Sequence, residues 1–382
     1  MYFNEVYSRS SLAHITKTKS ASRLSFGNVR NGRTIYAMPD PGRPIVGTAC
    51  KEGVPQGVFI MSEPLNILNQ NLEQVRSKLS KQITDYLGIV PDRMYHYTTT
   101  GGLLGIIKDH CFHATNVNFV NDSMEIKYCC NLVNKIIDKI CDNEKWPIEV
   151  QTLINVQKEF PQYGFSNVLS PDNTEVFIIC FSGKPNQLSQ WRGYANQGQG
   201  YSIGLNTKKI FRNKECEFFC KVIYDPNKQE DYITNIFTYS FQALKDIKIN
   251  FNLNDHGDAI KELILSCLTF ILRSLIVPMI SFKDKGFEEE EEWRVILLRQ
   301  KHKGEYSKIK FKNSNGFLTP YLELDLSELS NCGIHLLPIE ELYCGPALHP
   351  ELTQRYVEQF LENNGYGNSI IVKSSGIPFR TK

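Results

Sequence analysis

The chain has 382 residues, 41% hydrophobic and 22% charged, the balance of an ordinary folded globule rather than a disordered or fibrous chain. Lys plus Arg number 43 and Asp plus Glu 41, a formal balance of +2. Bulk charge therefore gives no argument for nucleic-acid or membrane binding, although a local basic groove stays open.

Residues 1 to about 60 read as irregular, with Gly27, Gly32, Pro39-Asp-Pro-Gly-Arg-Pro44 and Gly53 breaking any sustained period. Short strands at Thr34–Met38 and Val58–Met61 are expected to pair. From Pro64 to Leu87 a helix is predicted, because Leu65, Ile67, Leu68, Leu72, Val75, Leu79 and Ile83 recur at three- and four-residue spacing. Residues 1–90 are thus expected to form an extension, leading into an α+β domain over 91–382. That domain opens on the strand Met94-Tyr-His-Tyr-Thr98, a turn, and a helix with Leu103, Leu104, Ile106 and Ile107. A strand follows at Cys111–Thr115, then a polar loop with Asn116, Asn118, Asn121 and Asp122. Helices follow at Ser123–Asp142 and Val150–Phe160. Strands are expected at Val176–Ser182, Tyr201–Leu205 and Glu217–Tyr224, and a long helical insertion at about 229–280. Strands at Glu292–Leu298, Ile309–Phe311, Tyr321–Leu324 and Ile370–Lys373, and a helix at Pro350–Asn363 ending on Asn364-Gly365, complete the reading.

The longest apolar run, Leu263–Leu272 continued by Ser274–Ile280, is interrupted by Arg273 and Pro278. Its uncharged part is short for a membrane span of about 20 residues, so a buried helix is expected and no membrane partner. The eleven cysteines are odd in number and lack framework spacing, and the N-terminus has no basic-then-apolar leader. A reducing, cytoplasmic setting with free thiols is the expectation. Cys216-Glu-Phe-Phe-Cys220 has no second Cys/His pair to complete a zinc site, so no metal is expected.

Three polar clusters carry candidate chemistry. His96, at a strand end with Tyr97 and Thr98, either contacts a ribose or closes the strand. The run Glu288–Glu292 precedes Trp293 and a strand in which Glu290, Glu292 and Arg294 share one face, with Trp293, Val295 and Leu297 on the other. Glu292 either serves chemistry or forms an ion pair with Arg294 or Arg192. Trp191, Arg192 and Tyr194 in one turn suit stacking and phosphate contact, or else a core Trp beside a structural Arg. There is no Gly-x-x-x-x-Gly-Lys-Ser/Thr, Gly-x-Gly-x-x-Gly, His-Glu-x-x-His or Gly-x-Ser-x-Gly, which removes support from kinase, dehydrogenase, zincin and common hydrolase readings.

Tyr95-His-Tyr-Thr, Gly102–Ile107, Ala114-Thr-Asn, Phe119–Glu125, Cys180-Phe-Ser182, Leu188–Tyr194, Gly200–Gly204, Val222-Ile-Tyr224, Gly286–Arg294, Tyr343–Pro346 and Ser375–Arg380, in this order, resemble the prokaryotic family called domain of unknown function 2971. The resemblance spans about 93–382. A more distant likeness, to ADP-ribosyltransferases, implies a mixed, mostly antiparallel sheet and NAD as substrate. It implies that His96 holds the nicotinamide-side ribose and that Glu292 orients NAD or the acceptor, with Glu290 as the outer glutamate of a Glu-x-Glu pair. Trp191, Tyr194 and Tyr201 compete as the stacking aromatic. Tyr97, Thr98, Asn121, Asp122, Arg192 and Arg294 complete the expected NAD contacts. The expected function is transfer to a macromolecular acceptor, which includes nucleic acid, in phage defence or as a toxin. A non-catalytic sensing module of the same fold and a metal-dependent nuclease are the alternatives.

Overall fold

The computed structural model describes residues 63–120, 124–143, 174–212, 216, 218–251, 258–300, 308–314, 316–329, 335–346, 349–367 and 369–378. The strands expected at 34–38 and 58–61, the helix expected at 150–160, and Asn121 and Asp122 lie outside them. The chain divides into two compact units: residues 1–85, 133–160 and 230–278, and residues 86–132, 161–229 and 279–382.

The first unit is helical where described. Helix Glu63–Leu87 buries Leu68, Leu72, Val75, Leu79 and Ile83, the stripe its sequence spacing dictates. Its partners are the two long helices of the insertion, Pro226–Asn250 and Asp258–Ser281. Ser266 donates to Asn69 Oδ1 at 2.7 Å, Asn235 to Gln82 Oε1 at 3.1 Å, and the Arg76 guanidinium lies 5.9 Å from the Phe270 ring centre. The helix read as a lead-in to the sheet thus packs in the same unit as the insertion, because an apolar stripe of that length needs a long apolar partner. Ile260–Ser281 is long and apolar enough to cross a membrane by length and composition. Leu263, Cys267, Phe270, Ile271, Leu272 and Leu275 on it are nonetheless buried in protein.

The second unit is built on a sheet. Its strands are β1 (Arg93–Thr98), β2 (Cys111–Asn116), β3 (Thr174–Ser182), β4 (Tyr201–Asn206), β5 (Phe218–Lys221), β6 (Glu292–Gln300), β7 (Lys310–Ser314), β8 (Phe317–Asp325), β11 (Ile339–Cys344) and β12 (Ile371–Ser374); β9 (Glu328–Leu329) and β10 (His335–Leu336) pair separately. The order is β12-β11-β4-β1-β3-β2-β8-β7, with β6 on the other edge of β3 and β5 beyond β6. The β11–β12 pair is parallel and the other pairs are antiparallel. The fold is α+β with a mixed, mostly antiparallel sheet and a long helical insertion.

β3 is the hinge of this arrangement. It pairs with β6 over nine residues, from Thr174↔Gln300 to Ser182↔Glu292. Its other edge is shared: β1 meets it at Tyr95↔Ser182 and β2 at Thr115↔Ile178 and Asn116↔Phe177. Strand alternation then gives the sheet two unlike faces. One carries Met94, Phe112, Phe181, Ile203, Leu205, Trp293, Val295 and Leu297, and buries them with Leu103, Ile106 and Ile107 of helix Thr100–Asp109 and Val357 and Leu361 of helix Pro350–Asn363. The other carries Tyr95, Tyr97, Cys180, Ser182, Ser202, Glu341, Tyr343, Glu292 and Arg294, and receives the short helix Leu188–Tyr194.

Candidate functional site

The polar face holds a buried cluster of five charged side chains at the mouth of β6: Glu125, Lys283, Glu290, Glu292 and Arg294, none more than 8% exposed. Arg294 Nε lies 2.8 Å from Glu292 Oε1 and Nη2 3.0 Å from Oε2, a two-point grip. Its Nη2 also donates to Glu125 Oε1 at 2.9 Å, and its Nη1 to the Ile280 carbonyl at 3.1 Å. Lys283 Nζ reaches Glu290 Oε2 at 2.7 Å, Glu125 Oε1 at 3.1 Å and Glu292 Oε2 at 3.4 Å, and lies 4.7 Å from the Phe287 ring centre.

Local structure explains how this convergence is possible. Glu125 sits in the first turn of helix Met124–Asn143, where the free N–H groups favour a carboxylate. Gln229 fixes the Lys283 backbone, donating to the carbonyls of Lys283 (2.9 Å) and Ile223 (2.6 Å) while its own carbonyl accepts from Tyr128 (2.7 Å). Lys285–Glu290 forms a 3-10 helix capped by Asp284, and Glu291 closes it in the left-handed region at φ 41°. That turn, not strand alternation, brings Glu290 beside Glu292. Ser182 Oγ holds it by donating to the Glu290 carbonyl at 2.8 Å, and Gly183 N donates to the Glu291 carbonyl at 3.0 Å. The Glu292 N–H donates to Tyr224 Oη at 3.1 Å, and Tyr194 Oη donates to Glu290 Oε1 at 3.1 Å. Of the five-glutamate run only Glu290 and Glu292 are buried; Glu291 pairs with Lys184 at 3.2 Å on the half-exposed outside.

The two buried glutamates titrate in opposite directions. Burial works against the charge of Glu292, but Arg294 and then Lys283 outweigh it and hold the carboxyl near 2. Burial raises the pKa of Glu290, and its hydrogen bond from Lys283 only partly offsets this. Burial also opposes the Lys283 ammonium, yet Glu292 and Glu125 keep its pKa above the usual lysine range. Three carboxylates face two cations, so the cluster carries surplus negative charge, and Glu290 holds a proton more easily than Glu292 does. Carboxylates with divergent pKa values in one site are the arrangement that acid–base chemistry uses.

Among the sequence-predicted site residues, the structure unites Glu290, Glu292, Arg294 and Tyr194. His96 is not with them. Tyr95, Ser182 and Glu292 form one rung across β1, β3 and β6, so His96 points to the face opposite Glu292. Its ring packs edge-on to Phe112 (5.3 Å) and Phe181 (5.7 Å). Nδ1 lies 2.9 Å from the Cys180 carbonyl, which requires the proton on Nδ1. Cys180 lies between the β3 residues paired to β1 and to β2, and His96 caps the carbonyl left there. Burial lowers the His96 pKa to about 4.

The NAD contacts expected elsewhere are corrected in the same way. Trp191 is fully buried, edge-on to Tyr97 at 4.9 Å, with its indole N–H donated to Asn186 at 2.8 Å; it is core, not a stacking platform. Tyr97 is buried and donates to the Lys184 carbonyl at 2.8 Å, and Thr98 is buried at the end of β1. Arg192 is exposed, and the guanidinium that grips the Glu292 carboxylate is that of Arg294. Arg294, 1% exposed and bonded through all three nitrogens, has no donor directed to a pyrophosphate. Tyr201 is half-buried on the apolar face beside the main core. Sequence reasoning missed Glu125 and Lys283 as site residues. Glu125 had a signal, as the acidic end of the Phe119–Glu125 motif; a lone lysine after a long apolar helix had none.

Residues 190–295 match the family model described as Protein of unknown function (DUF2971). The matched stretch contains Tyr194, Tyr224, Lys283, Glu290, Glu292 and Arg294, while Glu125 enters the cluster from outside it. No curated protein and no solved structure matches the chain.

Proposed function

We propose that the DUF2971 cluster is the reacting centre of an ADP-ribosyltransferase-like enzyme that uses NAD and modifies a macromolecular acceptor. The observation that carries this reading is the excess of carboxylate over cation at Glu290, Glu292 and Glu125. Breaking the nicotinamide–ribose bond leaves an oxocarbenium-like carbon as nicotinamide departs with the bonding pair, and fixed negative charge favours that state. Glu292, held anionic, supplies the charge. Glu290, more basic than an ordinary glutamate, takes the proton of the attacking acceptor group, and the Tyr194 hydroxyl orients it. His96 is a strand-positioning residue in this scheme, so the ribose contact expected of it falls to other groups. Action in phage defence or as a toxin, in the cytoplasm, belongs to the same proposal and rests on analogy.

The test is incubation of the purified chain with NAD labelled in the adenylate half and a panel of proteins, RNA and DNA, with nicotinamide release followed in parallel. Transfer that falls about 100-fold or more in Glu290→Gln, but persists in His96→Asn, supports the proposal. Absence of both release and transfer from the folded protein overturns it. The complete engagement of Trp191 and Arg294 favours a second reading, a sensing module without turnover. It requires NAD binding that survives Glu290→Gln, with no product from either form.

A further inference from the structure

We propose a transition-metal site, of the class that takes Zn²⁺, built by Cys111 and His113 of β2 and Glu323 of β8. One ligand atom from each of the three side chains lies within 4.8 Å of the other two. The β2–β8 register makes this a property of the sheet: His113 pairs directly with Glu323 and Cys111 with Asp325, so all four side chains share one face of the ladder. The adjacent rung, Thr115↔Tyr321, closes one side, and the Tyr321 ring lies 4.1 Å from the His113 ring at a shallow angle, fixing the imidazole.

The donor chemistry selects the ion. Thiolate, imidazole and carboxylate together suit Zn²⁺ or Co²⁺, whereas Mg²⁺ and Ca²⁺ favour all-oxygen shells. Among the described residues no hydrogen bond engages the His113 ring nitrogens, and the Cys111 thiol is free and buried. Glu323 Oε2 is held by the exposed Lys310 at 2.6 Å, an ion pair that a divalent cation displaces readily. The Lys312 ammonium, over the Tyr321 ring at 5.4 Å, faces the site from β7 and weakens it. Binding forms three protein–metal bonds and releases the Cys111 thiol proton to solvent, leaving the fourth position to water. The ion joins β2 to β8 and pins the outer half of the sheet. β3 separates β2 from β6, so this site is distinct from the Glu290–Glu292 cluster.

Co²⁺ titration of the chelator-treated full chain tests the site directly, independently of any turnover. One equivalent of Co²⁺ is expected to give a thiolate-to-metal absorption band, reversed by Zn²⁺. Cys111→Ser abolishes the band and His113→Asn weakens binding at least tenfold, while Glu323→Gln, on the exposed rim and without effect on folding, weakens it to a measurable degree. A band that persists in Cys111→Ser, which would come from one of the other cysteines, overturns the proposal. So does binding unchanged in both His113→Asn and Glu323→Gln, or no band at all in the wild-type chain.

Discussion

Glu290 and Glu292 are two residues apart, yet they have different tasks. Glu292 grips Arg294 at two points inside the protein, and removing it breaks that buried pair. Glu292→Gln is expected to destabilise the fold by about 3–5 kcal/mol, read as a lowered urea midpoint. Glu290→Gln removes the surplus carboxylate and leaves two carboxylates facing two cations. Its stability cost is expected to be about 1 kcal/mol, so loss of transfer in this variant would report chemistry rather than unfolding. His96 gives a second prediction. Its folded pKa of about 4 lies below the ordinary 6.5, so the unfolded chain binds more protons between those values. The contribution of neutral His96 to stability is complete above pH 6.5 and is lost as pH falls toward 4, by on the order of 3 kcal/mol. Urea unfolding at pH 7 and at pH 5 measures it, and His96→Asn, which keeps a donor for the Cys180 carbonyl without a titrating ring, should flatten the slope.

At the scale of elements, close backbone approach positions the polar face. The turn Gly198-Gln-Gly200 before β4 looks from sequence like a simple connection. In the fold a Cβ on Gly345, which follows β11, would lie 2.2 Å from the Gly198 carbonyl oxygen, and Gly345 N donates to the Gly200 carbonyl at 2.9 Å. Gly345→Ala is therefore expected to cost about 1–3 kcal/mol by overpacking backbone against backbone, visible as a lower melting temperature. Gly204 is needed for a related reason: a Cβ there would meet the Tyr95 ring at 2.8 Å. That ring's hydroxyl donates to the buried Glu341 at 2.7 Å, which also accepts from Lys373 at 2.7 Å. β11 itself was not legible as a strand. Its inward Glu341 breaks the apolar alternation that announces a half-buried strand, and only a paired lysine and tyrosine make that carboxylate tolerable. β3, by contrast, was plain in the sequence, because Val176–Phe181 is, Cys180 apart, a run of β-branched and aromatic side chains.

Over the whole molecule, free thiols sit in both units. Cys111, Cys129, Cys130, Cys220, Cys267 and Cys344 are buried and unpaired. Burial pushes their thiols upward, to about 11 for Cys111 and about 12 for Cys220, Cys267 and Cys344. Without thiolate these groups are poor nucleophiles. Brief iodoacetamide treatment in native buffer, followed by mass spectrometry, should leave these six unmodified, and the same treatment in urea should modify them all. Modification of any of them at native rates would show that the unit holding it opens locally.

Hydrophobic periodicity is local, so the long helices, the apolar strands β3 and β6, the free-thiol chemistry and the α+β class could all be read from the order of residues alone. That Glu292 and Arg294 share one face of β6 could be read in the same way, since it follows from the twofold repeat of a strand. Which groups meet across the molecule is not local. The rung Tyr95–Ser182–Glu292 turned His96 away from the acids, the Glu291 turn brought Glu290 in, and Glu125 and Lys283 arrived from segments more than 150 residues apart. A buried charge is tolerable only through partners supplied by the finished fold, so no pattern within a single segment can announce it.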